Sequence, residues 1–126
     1  MSRVYSICNM ANLAETKGMR IYVATPVNAR QEKTFEEKRE MAAHRCELLK
    51  KMLREEFAGA EIVTPFDVNP IDVPIEENEA MGRCVAAVLT CNAIYLDHAW
   101  QSSKGCNLEY RAAKIYGLII YEYDNM

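Results

Sequence analysis

From Arg20 onward, short apolar segments alternate regularly with longer amphipathic ones. Four short segments rich in β-branched and aromatic residues predict buried strands, namely RIYVAT, AEIVTP, NAIYLD and LIIYEY. Three segments with helical periodicity lie between them. The order β-α-β-α-β-α-β with nearly continuous apolar strands predicts a small doubly wound α/β domain, whose mostly parallel four-stranded sheet carries helices on both faces.

The three helices have recognisable limits and inward faces. The first begins at Thr34, which has capping-box spacing to Glu37, and is stopped by Gly59. Its apolar stripe is predicted to be Phe35, Ala42, Cys46, Leu49, Leu53 and Phe57. The inward face of the second is predicted to be Met81, Val85, Val88 and Leu89. The inward face of the third, which Gly117 stops, is predicted to be Leu108, Ala112 and Ile115.

Residues 1–18 show no sustained periodicity and lack the apolar centre of a secretory signal. We expect an N-terminal appendage that is either disordered or packed on a neighbouring subunit. Residues 19–126 then form one α/β domain. Half of the 126 residues are apolar, which is enough for a single packed core.

Composition excludes several classes of function. Fifteen Lys and Arg against 18 Asp and Glu give a formal charge of −3, so no positive field is available to grip a nucleic-acid polymer. No apolar run reaches the roughly 18 to 20 residues of a membrane span. Five cysteines without a C-x-x-C pair and only two histidines speak against disulfides, structural zinc or any metal. We expect a cytoplasmic protein without a cofactor.

The predicted topology locates a binding site. If the strand order is 2-1-3-4, as in flavodoxin-like sheets, the carboxyl ends of the first and third strands open a crevice. Thr25 and Pro26 follow the first strand, and Asp97, His98 and Trp100 follow the third.

The segment from Asp97 to Glu109 contains a strand end, a polar turn and a helix start. Ser102 or Ser103 can cap this helix, whose free backbone N–H groups can hold an anion. Gly105 permits close approach to the backbone, and Glu109 lies one turn deeper on the same face. A carboxylate there can act as a nucleophile toward a sugar carbon.

Structural interpretations of the same residues stay open. Ser103 can be a helix cap alone, Gly105 a first-turn glycine, and Glu109 a solvated glutamate favoured by the helix dipole. Trp100 can stack on a base or fasten the loop to the core. His98 can donate a proton to a leaving base, as can Asp97, or have no task.

Three stretches resemble the nucleoside 2-deoxyribosyltransferase superfamily, particularly its small bacterial and phage branch. They are IYVATP, TCNAIYLD and W-Q-S-S-K-G-x-x-x-E-Y-x-x-A-x-x-Y-G, and the resemblance runs from about Met19 to Asp124. It implies a flavodoxin-like sheet and cleavage or exchange of the N-glycosidic bond of a 2′-deoxynucleoside or its 5′-monophosphate. It also implies Glu109 as the nucleophile, Ser103 as a phosphate contact, Thr25 and Pro26 as site lining, and assembly as a homodimer or larger homo-oligomer.

The chain differs from the superfamily pattern at two places, and these differences leave alternative functions open. Many relatives carry aspartates where this chain has Cys84 and Asn92, and the loop after the first strand lacks the glycines of a phosphate cradle. The sequence therefore predicts an N-glycosidase or 2-deoxyribosyltransferase first. The alternatives are a catalytically inactive nucleotide-binding module and a ligand-free oligomeric scaffold.

Overall fold

The computed structural model describes residues 3–6, 18–27 and 34–124, without the side chains of 3–6 and 124. The strands are β1 (Arg3–Ser6), β2 (Arg20–Ala24), β3 (Glu61–Val63), β4 (Ala93–Leu96) and β5 (Ile119–Asp124). The α-helices are α1 (Phe35–Glu56), α2 (Pro65–Val68), α3 (Glu77–Val88) and α4 (Lys104–Ile115). A 3-10 turn, Trp100–Ser102, connects β4 to α4.

The strands form one sheet in the order β1-β5-β4-β2-β3. β2, β3, β4 and β5 are mutually parallel, and counted along the chain from Arg20 their order is the predicted 2-1-3-4. The flavodoxin-like α/β fold is therefore confirmed.

β1 lies within residues 1–18 and adds an antiparallel strand beside β5, with Arg3 opposite Asp124. This four-residue strand is too short to show a period in the sequence. The rest of the predicted appendage lies outside the described residues, apart from Gly18.

Side chains alternate across the sheet and build two cores. On one face, α1 packs against the sheet through residues that include Leu49, Leu53, Phe57, Ile21, Val23, Tyr95 and Tyr121. On the other, α3 and α4 pack through residues that include Cys84, Val88, Cys106, Ala113, Tyr22, Ala24, Ile94 and Leu96. Helices on both faces follow from strands that are apolar on both sides.

Helix α1 begins where the sequence predicted, but its buried stripe does not include every residue that was predicted for it. Thr34 Oγ accepts from Glu37 N at 3.1 Å and Glu37 Oε1 accepts from Thr34 N at 2.9 Å, which completes the capping box. Phe35, however, is 70% exposed, so its predicted core position is wrong. The first turn extends beyond the core, and Ala42 is the first buried residue of the helix.

The predicted inward face of α4 is only partly correct, since Ala112 packs against the core as predicted but the other two residues do not. Leu108 and Ile115 are exposed, and the buried residues are Cys106, Glu109 and Ala113. These residues are three and four positions apart, so they form one stripe against the sheet. In α3, Leu89 is likewise exposed, because the chain leaves the helix at this residue. The error in α4 arises because its buried stripe contains a glutamate.

Candidate active site

The carboxyl ends of β2 and β4 lie side by side, as the topology predicted. Asp97 N donates to the carbonyl oxygen of Ala24 at 3.0 Å, which joins the two strand ends. Thr25 and Asp97, the residues that follow the strands, are both buried. Thr25 Oγ has no hydrogen-bond partner of good geometry among the described residues, and the Cys46 thiol lies near it. Pro26, next in the chain, is half-buried.

The helix cap at this edge is Ser103. Its Oγ accepts from Cys106 N at 3.2 Å, so it satisfies a backbone donor in the first turn of α4. Ser102 instead belongs to the 3-10 turn, where its Oγ donates to the carbonyl oxygen of Ala99 at 2.7 Å. Asn107 fixes the turn further by donating to the Ser103 carbonyl at 2.7 Å.

Gly105 lies where α3 approaches α4. A Cβ atom at this position would be 3.1 Å from the Met81 Sδ atom, which is tighter than ordinary contact. The close approach that this glycine permits is thus made by Met81 in the structure.

Glu109 is buried beneath α4 against the sheet. Its side chain is 4% exposed, and the Tyr22 hydroxyl donates to Oε2 at 2.6 Å. Tyr22 lies on β2 and is fully buried, so the contact joins the first parallel strand to the second turn of α4. Among the described residues, Glu109 has no ion-pair partner.

The electrostatics of this contact follow from burial. Burial raises the pKa of Glu109 to about 7, although hydrogen bonds from Tyr22 and Cys84 act in the opposite direction. Burial, and then the Glu109 charge, raise the pKa of Tyr22 well above its ordinary value. Burial raises the pKa of the Cys84 thiol to about 11. At neutral pH the carboxyl group is therefore partly ionised, whereas the Tyr22 hydroxyl that donates to it and the Cys84 thiol keep their protons.

The buried Glu109 carboxyl group predicts that its contribution to the free energy of unfolding falls as the pH rises, the reverse of the usual behaviour of an acidic residue. The pKa of about 7 lies above the ordinary 4.5, so the folded protein binds this proton more tightly than the unfolded chain. The stabilisation is complete below pH 4.5 and is lost as the pH rises through about 7. Between these values the free energy of unfolding of Glu109→Gln should rise relative to wild type, by up to about 3 kcal/mol.

Urea unfolding of both proteins at several pH values checks this expectation. Glu47→Gln is the matched control, because it makes the same chemical change at an exposed position of α1. A stability difference between Glu109→Gln and wild type that does not vary with pH would contradict the expectation.

Asp97 and His98, the predicted proton donors, belong to a second cluster. Arg45 Nε and Nη2 donate to the two Asp97 oxygens at 2.9 and 2.7 Å, and the Arg45 guanidinium lies over the Tyr123 ring. His98 is exposed, and its ring contacts the edge of Tyr123 with centroids 5.4 Å apart. Tyr123 packs with the core that α1 covers, whereas Glu109 lies beneath α4 on the other face.

Trp100 packs the turn against the fold. Its ring contacts Tyr110 with centroids 4.8 Å apart, and its indole N–H donates to Glu122 Oε2 at 3.0 Å. The side chain is half-buried. The structure thus shows a contact of the kind expected for a residue that fastens the loop.

The sequence reasoning missed Tyr22, Cys84 as a contact of Glu109, and Arg45. Tyr22 carried one usable signal, since a tyrosine in a fully buried strand needs a partner for its hydroxyl. Among the described residues, no group of three or more His, Cys, Asp or Glu side chains is arranged to hold a metal ion. Burial raises the pKa of both Cys46 and Cys106 to about 12, which keeps these thiols protonated.

Comparison with known proteins identifies one relationship. No curated protein matches the sequence. None of the helices in the described part of the chain combines the length and apolar character needed to span a membrane. The family described as a domain of unknown function, DUF4406, matches residues 19–122, which include both strand ends and all of α4. The chain belongs to the DUF4406 family.

Proposed function

We propose that the protein cleaves or exchanges the N-glycosidic bond of a 2′-deoxynucleoside or its 5′-monophosphate, with Glu109 as the nucleophile. The observation that carries the proposal is the buried Glu109 carboxylate, held by the Tyr22 hydroxyl at 2.6 Å in the helix that starts at the carboxyl edge of the sheet. The resemblance to nucleoside 2-deoxyribosyltransferases supplies the substrate class.

The chemistry uses one carboxylate twice. A Glu109 oxygen forms a bond to the anomeric carbon while the bond to the base breaks, and the base leaves with the electron pair and takes up a proton. Water or a second base then attacks the same carbon and releases the glutamate. The anomeric carbon becomes positively charged in both transition states, and an anion in a buried site stabilises that charge strongly.

His98 is the proposed proton donor to the leaving base. Asp97 was predicted for this role together with His98, but both Asp97 oxygens are held by Arg45. In the proposal, Asp97 and Arg45 position the strand end, and the exposed His98 imidazole delivers the proton.

The helix start supports binding of the sugar end of the substrate. Ser103 Oγ accepts from the backbone of Cys106, so its own proton is free to donate to a substrate oxygen or phosphate. Thr25 Oγ is a further buried hydroxyl at this edge. The loop after β2 has no glycine between Thr25 and Arg30, which favours a nucleoside over a monophosphate.

A homo-oligomer remains part of the proposal. The outer side of α4 and the residue after it expose three large apolar side chains, Leu108, Ile115 and Tyr116. Such exposure supports contact with a neighbouring subunit.

The direct experiment incubates the purified protein with a panel of 2′-deoxynucleosides and their 5′-monophosphates. Chromatography detects free base, and the unfolding temperature is recorded with each compound. We expect base release from at least one compound, together with a raised unfolding temperature. No release and no shift with any compound would contradict the proposal and favour a scaffold.

One observation favours a second function, a nucleotide-binding module without turnover. Cys84 occupies a position at which many nucleoside 2-deoxyribosyltransferases, which this chain resembles, carry an aspartate. The Cys84 side chain also lies close to Glu109. This alternative predicts a raised unfolding temperature without free base in the same experiment.

Replacing Tyr22 by Phe should move the pH dependence of base release upward. The wild-type rate should rise with pH through about 7, because Glu109 must be ionised to attack. The Tyr22 hydrogen bond lowers the pKa of Glu109, so its loss should shift the profile by about one to two pH units.

The matched control is Tyr95→Phe. Tyr95 is a buried strand tyrosine in the core that α1 covers, and its hydroxyl has no partner among the described residues. Its profile should coincide with that of wild type. If Tyr22→Phe also keeps the wild-type profile, Tyr22 does not tune the nucleophile.

A further inference from the structure

One buried acceptor near Glu109 has no donor. Asn69, which ends α2, donates through Nδ2 to the carbonyl oxygen of Ala80 at 3.1 Å and to Cys84 Sγ at 3.4 Å. Its Oδ1 is buried and has no hydrogen-bond partner among the described residues, and the residue is 7% exposed.

The orientation of this amide is fixed by its neighbours. Only an N–H group can face the Ala80 carbonyl, so exchanging the amide nitrogen and oxygen would place two acceptors against each other. A buried carbonyl oxygen without a donor is unfavourable, and native proteins rarely keep one without a reason. A donor from a bound molecule would satisfy it.

The acceptor lies close to the nucleophile. Asn69 donates to the Cys84 sulfur, and Cys84 packs in the same core as Tyr22, whose hydroxyl donates to the Glu109 carboxylate. Because Oδ1 belongs to the same small planar amide as Nδ2, it stays within a few ångströms of the sulfur. A sugar whose anomeric carbon meets Glu109 would bring its neighbouring hydroxyl groups to this region.

We propose that Asn69 Oδ1 accepts a hydrogen bond from a hydroxyl group of the substrate's sugar and makes the site discriminate against sugars that lack it. This inference rests on the proposed function. A buried acceptor built for a hydroxyl rejects the analogue without that hydroxyl, because binding the analogue leaves the acceptor unpaired. Asn69 is thus a specificity-determining residue of the site.

The test compares three nucleosides of one base: the ribonucleoside, the 2′-deoxynucleoside and the 2′,3′-dideoxynucleoside. The first pair isolates the 2′-hydroxyl and the second pair the 3′-hydroxyl. Because the proposed 2′-deoxynucleoside substrate lacks the 2′-hydroxyl, we expect the 3′-hydroxyl to raise kcat/KM for base release by the wild type by about 100-fold. In Asn69→Leu that ratio should collapse to within a few-fold, because the rate falls mainly on the substrate that carries the hydroxyl.

Asn92→Leu is the matched control. Asn92 lies just before β4, at the end of the strand away from the candidate site, and its Oδ1 already accepts from Arg20 N at 2.8 Å. It should keep the wild-type ratio. Calorimetric binding of the same three nucleosides to wild type and Asn69→Leu provides a second measurement that does not need turnover.

The outcomes separate the two proposals. Base release with the same hydroxyl preference in wild type and Asn69→Leu would overturn the role of Asn69 and leave the proposed function standing. The absence of any hydroxyl preference in the wild type would also overturn it. Binding without base release, with a preference that Asn69→Leu abolishes, would support the role of Asn69 and overturn the enzyme.

Discussion

Replacing Glu109 by Gln should lower the rate of base release by at least about 10³-fold while nucleoside binding stays nearly unchanged. An amide cannot form the glycosyl ester, yet it has almost the shape of the carboxyl group. Its carbonyl oxygen can still accept from the Tyr22 hydroxyl, as Oε2 does at 2.6 Å. The substitution also removes a buried ionisable group, so no loss of stability is expected above neutral pH.

Chromatographic measurement of free base and calorimetric titration of the nucleoside check the two halves of this prediction separately. Glu47→Gln makes the same chemical change at an exposed position of α1 and should leave both quantities unchanged. A Glu109→Gln protein that releases base at the wild-type rate would remove Glu109 from the nucleophile role. A protein that loses binding together with the rate would indicate that Glu109 holds the substrate instead.

Replacing Arg45 by Met should lower the free energy of unfolding by about 3 to 5 kcal/mol. The Asp97 side chain is 3% exposed and receives two hydrogen bonds from Arg45, whose side chain is 30% exposed. Without the guanidinium the carboxylate is left buried without its charge partner. A buried charge without a partner costs several kcal/mol of stability.

Two further variants decide whether the loss comes from the unpaired charge. Arg83→Met breaks the Glu79–Arg83 pair, whose side chains are more than half exposed, and should cost less than about 0.5 kcal/mol. In the double variant Arg45→Met with Asp97→Asn, much of the lost stability should return, because no buried charge remains. Chemical unfolding of the four proteins measures this. An Arg45→Met protein no less stable than Arg83→Met would show that the Arg45–Asp97 pair contributes little.

The fold was accessible from the sequence because its strands are apolar on both faces and are bounded by clear stops. Each of the four parallel strands was located, and the strand order followed from the general behaviour of such sheets. The antiparallel strand β1 was not predicted, because its four residues are too few to show a periodic pattern of apolar side chains. Of the predicted inner face of α4 only Ala112 packs against the core, because a buried glutamate interrupts the apolar stripe and a helix glutamate usually lies in solvent.

The residues of the candidate site could be predicted from the sequence only where they are close to one another along the chain. Gly105 and Glu109 lie one turn apart in one helix, so their common face could be predicted, and Ser103 could be predicted as a cap of that helix. Tyr22 meets Glu109 across 87 residues of chain, and Arg45 meets Asp97 across 52. Such pairs are created by the packing of α1 and α4 on the sheet, and no local pattern specifies them.

The covalent role of Glu109 is tested by measuring the mass of the protein after its reaction with a 2′-fluoro-2′-deoxyarabinosyl nucleoside has been quenched. Fluorine beside the anomeric carbon disfavours positive charge there, so hydrolysis of a glycosyl ester slows and the ester accumulates. We expect a sugar adduct on the peptide that contains Glu109, formed together with free base and absent from Glu109→Gln. Free base released without any adduct, or an adduct on another residue, would contradict it.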